Sequence, residues 1–238
     1  MDDGGWKNSA KAWIADMGET GDFGRQYVLD APMAARLRGL TKGAALDVGC
    51  GEGRFCRILR AEGFEPVGLD PTEELLAAAR DRDPAGHYIE GRAEALDLPD
   101  ASFELVVSCL SLIDIEDAQT AIAEMARVLK PGGTLLVANL TSFSTARAND
   151  GWQRDLLGRP THFAIDRYLE ARSSLESWRG ISIVNWHRPL SDYMRWFLAT
   201  GLVLTHFDEP VATGGEQAKA ARYNRVPWYV IMEWRKPA

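Results

Sequence analysis

The segment Asp47-Val-Gly-Cys-Gly-Glu-Gly53 holds an acid followed by three alternating glycines. It comes after a short apolar run and opens a helical pattern. Glycine lets a backbone approach a ligand closely and tolerates positive φ, so the turn reads as a ligand loop. A dinucleotide G-x-G-x-x-G turn needs a small residue at position 54, where Arg54 stands, and no Gly-Lys-Ser/Thr follows for a phosphate loop. Asp70 closes the next apolar run, just before Pro71. Alone, its carboxylate reads as a cap for the helix behind it. Histidine titrates where proton transfer at neutral pH needs it, and there are four: His87, His162, His187 and His206. The three cysteines, Cys50, Cys56 and Cys109, fit no zinc spacing and no disulfide framework. No metal is expected, and a reducing cytoplasm is the natural setting.

These residues must be held by elements that the pattern of hydrophobicity makes legible. From residue 44, "AALDVG", "PVGLD", "HYIEGRA", "FELVVSC" and "GTLLVANL" read as strands. Between them, "GRFCRILRAEG", "PTEELLAAARDRD" and "IEDAQTAIAEMARVLK" read as helices, closed by Gly63 in the first case and by "PGG" in the last. Such alternation implies a parallel sheet wrapped by helices on both sides, with ligands at the carboxyl ends of the strands. Residues 187–238 resume the rhythm as a helix, "RPLSDYMRWFLATG", and two strands, "LVLTHFDEP" and "VPWYVIMEW", paired antiparallel. Residues 1–43 read as a mostly helical cap and residues 141–186 as an irregular lid insertion after the fifth strand.

The chain of 238 residues carries a net charge of −7, with 46% hydrophobic and 26% charged residues. That suits one α/β domain and leans against nucleic acid or an anionic membrane as partner. No apolar run approaches the ~18 residues of a membrane span, and the N-terminus "MDDGGWKNSAKAW" lacks the apolar core of a signal peptide.

Taken in order, "LDVGCGEG", Asp70, "GRAEALDLPDASFELVVS", "SCLSLIDIED" and "ARVLKPGGTLLV" resemble the small-molecule branch of the class I S-adenosylmethionine-dependent methyltransferases. The resemblance is close over residues 44–140. It implies a Rossmann-like, doubly wound seven-stranded sheet, mostly parallel with one antiparallel strand near the edge. It implies S-adenosylmethionine as cofactor and S-adenosylhomocysteine as product. Gly49, Cys50, Gly51 and Gly53 would lie under the amino acid tail, with Asp47 attracting its ammonium and Arg25, from the N-terminal helix, its carboxylate. Asp70, followed by Pro71, would grip the ribose hydroxyls. Ala93 and Glu94 would flank the adenine, although Arg92 stands where an Asp often meets the adenine amino group. Cys109 would border the sulfonium.

"WHRPLSDYMRWFLATG" is similar to a segment of these enzymes in which the histidine faces the substrate. His187 is therefore expected to be a general base or a substrate-orienting donor; the alternative is that it caps the helix at Pro189 or bonds backbone. Asp114, Trp152, His162 and Tyr193 are the further acceptor-side candidates. The aromatic residues of the insertion suit a flat or aromatic acceptor, and its arginines an acidic one, although an insertion also needs aromatics for its own core. The function implied is methyl transfer to a small molecule, at a hydroxyl oxygen, by a monomer or homodimer. A catalytically silent cofactor-binding partner or sensor, and a protein or RNA methyltransferase, are the alternatives.

Overall fold

The computed structural model describes residues 4–238, so the first three residues of the expected 1–43 cap lie outside the described residues. The cap comprises α1 (Trp6–Met17), a π-helical turn (Arg25–Leu29) and α2 (Asp30–Arg38). The alternating part follows as β1 (Ala44–Val48), α3 (Arg54–Ala61), β2 (Glu65–Asp70), α4 (Glu73–Arg82), β3 (His87–Glu90), β4 (Phe103–Cys109), α5 (Ala118–Val128) and β5 (Leu129–Leu140). The strands lie in one seven-stranded sheet of order β3-β2-β1-β4-β5-β11-β10. The closing elements are α7 (Leu190–Ala199), β10 (Val203–Asp208), α8 (Gln217–Tyr223) and β11 (Tyr229–Arg235). β11 alone runs antiparallel, between β5 and β10. The chain steps outward from β1 to β3 and then crosses back to β4, which opens a crevice at the carboxyl ends of β1 and β4, where such sheets bind ligands.

Both faces of the sheet are covered. Leu46, Val106 and Val137 pack with Ile122 and Met125 of α5 and Phe197 of α7. Their strand neighbours Ala45, Val107 and Leu136 point the other way, against Leu59 of α3 and Met33 and Leu37 of α2. Burial on two sides explains why these strands read as continuous apolar runs rather than alternating ones.

The insertion differs from the irregular segment expected at 141–186. It contains a short helix, α6 (Ser142–Thr145), and two antiparallel hairpins, β6 (Arg147–Arg154) with β7 (Pro160–Ile165) and β8 (Arg172–Trp178) with β9 (Ile181–His187). The second turn is Arg179-Gly180, with φ of 43° and 83°. An arginine at positive φ replaces the Asn or Asp that makes such turns recognisable. α1 docks on β9: Ser9 Oγ donates to the Ser182 carbonyl at 3.0 Å and accepts from its amide at 2.9 Å. Cap and insertion thus meet above the sheet. Among the described residues, no helix is long and apolar enough to cross a membrane.

α7 is secured by the stacking of Phe197 on the fully buried Trp234 of β11, ring centroids 4.8 Å apart. Phe197→Ala is expected to destabilise the protein by about 3–5 kcal/mol in denaturant titration; a loss below about 1 kcal/mol would show that the site collapses freely or that α7 is not a packed part of the core.

Candidate functional site

The glycine turn is held open by the strand beside it. The amides of Gly49 and Cys50 both donate to the Leu69 carbonyl, at 2.8 and 3.0 Å. The Gly51 amide donates to Asp70 Oδ2 at 2.9 Å. Gly49 has φ of 75°, and a Cβ there would stand 2.4 Å from Ser111 Cβ, so both conformation and space require glycine. At Gly51, with φ of 53°, a Cβ would meet nothing; only the backbone conformation selects it. Gly53 caps α3 and backs onto the Tyr88 ring.

A cavity of about 410 Å³ opens over this turn. Arg25, Asp47, Gly49, Cys50, Gly51, Asp70, Pro71, Ala93, Glu94 and Cys109 line it, and Gly53 does not. Asp47 is buried. Its Oδ2 accepts from Cys56 Sγ at 3.4 Å, while Oδ1 has no partner among the described residues. Burial raises its pKa to about 7, the Cys56 hydrogen bond opposes, and the charges of Asp70 and Glu52 add to the rise. A buried carboxylate oxygen without a donor is costly, and a cation in the cavity relieves it. Asp70 Oδ1 accepts from the Thr72 amide at 2.9 Å. Burial raises its pKa and these backbone donors lower it; each oxygen keeps a lone pair for a further donor. Arg25 lies 5.0 Å over the Trp13 ring and pairs with Asp22 at 3.1 Å. Arg92 is turned onto Glu94 at 2.9 Å. Burial pushes the Cys109 thiol up to about 12, against the pull of Arg25, so it stays protonated. An ammonium, a carboxylate and a vicinal diol all find complementary groups here, and the S-adenosylmethionine implied by the sequence fits this donor set. Among the described residues, no group of three or more His, Cys, Asp or Glu is placed to hold a metal ion.

A second cavity, of about 580 Å³, adjoins the first. Trp6, Trp13, Arg25, Leu110 and Asp114 line both, and Trp152, Trp178, Trp228 and Tyr229 extend the second. The loop after β4 forms the seam. Leu110 takes φ of 59°, a strained value for a branched residue. Ser111 Oγ donates to the Val48 carbonyl at 2.7 Å. Asn185 Nδ2 donates to Asp114 Oδ1, and the Trp186 amide to the Ile113 carbonyl at 2.6 Å. The buried Arg188 guanidinium donates to the carbonyls of Leu112, Ile115 and Glu116, at 3.2, 2.7 and 2.7 Å. Arg188 and Asn185 were not among the residues singled out from the sequence. Arg188 adjoins a residue that was, whereas Asn185 carries no signal until the β8–β9 hairpin is known.

Three acceptor-side expectations are corrected. His187 is not positioned as a base: only 3% exposed, it lines neither cavity. Its Nδ1 lies 2.7 Å from Thr145 Oγ1 and its Nε2 2.9 Å from the Tyr168 carbonyl. Burial lowers its pKa, partly offset by the Tyr168 bond, so a neutral ring donates to that carbonyl and accepts from Thr145. Tyr193 is packed in the core under Arg188, which donates to its hydroxyl at 3.4 Å. His162 is exposed on β7, beside Thr161. Asp114 and Trp152 do line the second cavity.

A methyltransferase domain model matches residues 46–137. The chain is 34% identical over 138 residues to the malonyl-[acyl-carrier protein] O-methyltransferase of Serratia marcescens, covering 56% of this chain and 54% of that protein. It therefore spans about half the length of that relative. The Salmonella typhimurium protein of the same name is 30% identical over 190 residues, 78% of this chain and 74% of its own. An S-adenosylmethionine-dependent methyltransferase from Mesorhizobium loti, solved by crystallography, superposes with a TM-score of 0.78 at 27% identity, over 92% of this chain and all of that one.

The state of Asp47 makes the cavity pH-sensitive. A proton and an ammonium compete for one carboxylate, so affinity for S-adenosylhomocysteine should weaken below about pH 7, by up to about tenfold per pH unit. Asp47→Asn should flatten that dependence in calorimetric titrations between about pH 6 and 8; a flat wild-type profile would contradict it.

Proposed function

The chain belongs to the class I S-adenosylmethionine-dependent methyltransferases, and we propose that it transfers a methyl group to an oxygen atom of a small acceptor. The observation that carries this reading is the meeting of two cavities along one wall of Arg25, Leu110 and Asp114. One holds the groups that suit the cofactor; the other is large and aromatic. S-adenosylmethionine, when bound, supplies a methyl group already activated on a sulfonium.

The protein's own task is then alignment and exclusion of water. Asp47 Oδ1 receives the ammonium and Arg25 the carboxylate as a charge-assisted pair. Asp70 accepts from the ribose hydroxyls while its backbone donors keep it fixed. Gly49, Cys50 and Gly51 present bare backbone beneath the tail, and Pro71, Ala93 and Glu94 border the base, the last held by Arg92. Cys109 would contribute backbone and a protonated, inert thiol to the wall around the bound cofactor. α1 and β9, joined through Ser9 and Ser182, cover the reacting region. The cap at 4–43 and the insertion at 141–186 thus act together as an enclosure for the core.

The relatives are named for methylation of a malonyl group on acyl carrier protein, which raises a carboxylate oxygen as a second acceptor. Arg147 in the second cavity favours it. That arginine is already paired with Glu176 at 2.9 Å, as Arg25 is with Asp22, which reduces the positive charge on offer.

Two charge-assisted hydrogen bonds to ribose are together worth about 3 kcal/mol, or roughly 100-fold in affinity. Asp70→Ala should therefore weaken calorimetric binding of S-adenosylmethionine by about that factor. Equal affinity in the folded variant would remove Asp70 from the site, and absence of binding by the wild type would overturn the reading.

A further inference from the structure

Resting on the methyltransferase reading, we propose that Asp114 is the group that takes the proton from the acceptor, and that the acceptor is an aromatic hydroxyl compound seated between the tryptophans of the second cavity. Asp114 and Arg25 are the ionisable residues that line both cavities, and Arg25 stays protonated. The four histidines are elsewhere: none lines either cavity. A base for a hydroxyl at this seam must then be Asp114.

Asn185 Nδ2 donates to Oδ1, and no described residue donates to Oδ2. The carboxylate is thus oriented through one oxygen and open through the other. The loop that bears it is pinned from both sides, by the Trp186 amide on the Ile113 carbonyl and by Arg188 on the carbonyls of Leu112, Ile115 and Glu116. Just before it, Leu110 is kept at φ of 59° by the bond of its amide to the Ala138 carbonyl at 2.8 Å. Strain of this kind persists only where the surroundings over-determine it, and it gathers where a side chain must be aimed.

The walls define the acceptor class. Trp6, Trp13, Trp152, Trp178 and Trp228 border the second cavity. Flat π-faces at several angles suit a planar ring, and a volume of about 580 Å³ admits a substituted one. In the reaction the hydroxyl O–H bond breaks and its proton passes to Asp114 Oδ2. The oxygen's electron pair forms the new bond to the methyl carbon as the carbon–sulfur bond breaks, leaving a neutral ether, a neutral thioether and a protonated Asp114.

The electrostatics agree. Burial raises the Asp114 pKa well above the usual carboxylate range; Asn185 and Arg25 oppose the rise and the charge of Asp70 adds to it. Asp22 on the approach to the π-helical turn, Arg147 and Asp150 on β6, Glu176 on β8, Arg222 and Tyr223 on α8 and Tyr229 on β11 complete the titratable groups that line the cavity among the described residues. A base of raised pKa is a better proton acceptor for a phenol than an ordinary carboxylate. Activity is therefore expected to rise with pH as Asp114 ionises and then level.

The test uses 4-nitrophenol, whose neutral and ionised forms absorb differently, on protein saturated with S-adenosylhomocysteine. The phenol should bind and quench the tryptophan fluorescence. Asp114→Asn, which preserves the partner of Asn185, should still bind it, but the apparent pKa of the bound phenol should fall by about one unit once the neighbouring carboxylate is gone. With S-adenosylmethionine, the wild type should form the methyl ether, and the variant should lose about 10²-fold in rate and its pH dependence. Should the asparagine variant fail to bind S-adenosylhomocysteine, Asp114→Ser carries the same comparison. Bound nitrophenol with an unchanged pKa in the variant would overturn the role of Asp114. Retained S-adenosylhomocysteine binding without nitrophenol binding, or methylation of benzoate in place of the phenol, would overturn the acceptor class and leave the methyltransferase reading intact. Only absence of S-adenosylhomocysteine binding by the wild type would sink both.

Discussion

Three consecutive amides of the glycine turn find their acceptors at the end of β2. Leu69 offers its carbonyl to Gly49 and Cys50, and Asp70 its carboxylate to Gly51. The parallel register sets Val48 opposite Leu69, so the turn of β1 and the acid of β2 arrive at the same height. Everything ligand-facing follows from this. A turn whose donors were left unmade would close or collapse, at a cost of about 1–3 kcal/mol for each buried group. Held as it is, it bares its backbone to the cavity, and the acid that holds it keeps lone pairs for the ligand. Asp47 sits lower on β1, opposite Gly68, with an oxygen that no described residue satisfies. The fold tolerates that unfavourable group because the site gains a fixed, desolvated charge.

The second organising constraint is the loop after β4. It lines both cavities, and it is irregular, so its conformation must be imposed. The imposition comes from β9 and Arg188, elements distant in sequence. Arg188 also lies 5.1 Å over the Trp186 ring, so a buried charge is met by carbonyl oxygens and a π-face together. α1 then caps β9 through Ser9, and Arg179 at the hairpin turn reaches Asp16 at 2.6 Å. Cap, insertion and seam form one connected assembly around the place where the two cavities meet.

The core of this arrangement is legible in the sequence because its signals are local. The apolar runs at 44–48 and 103–109, the Asp47–Gly53 spacing and the acid at 70 each lie within a few residues, and they carry both the sheet and the wall of the first cavity. The antiparallel pairing of the two closing strands was legible from their apolar patterns on either side of a polar loop. The second cavity was not. The β8–β9 hairpin turns on Arg179 rather than Asn or Asp, and β6–β7 shifts register between Arg147 and Trp152. Without the hairpins, Asn185 has no address. The same gap leaves His187 undecided in the sequence. Of the two readings the sequence leaves open for His187, the structure has the bonded one: Thr145 and the Tyr168 carbonyl, from two parts of the insertion, occupy both of its nitrogens. Long-range hydrogen bonds of this sort leave no periodic trace.

The central claim is that one cavity holds S-adenosylmethionine with its sulfur turned toward the aromatic cavity. A crystal structure of the protein with S-adenosylhomocysteine tests it most directly. The account predicts density over the glycine turn, with ribose hydroxyls on Asp70, the amino group on Asp47 and the sulfur beside Leu110 and Asp114. Density elsewhere on the molecule, or a sulfur facing away from that seam, would contradict it.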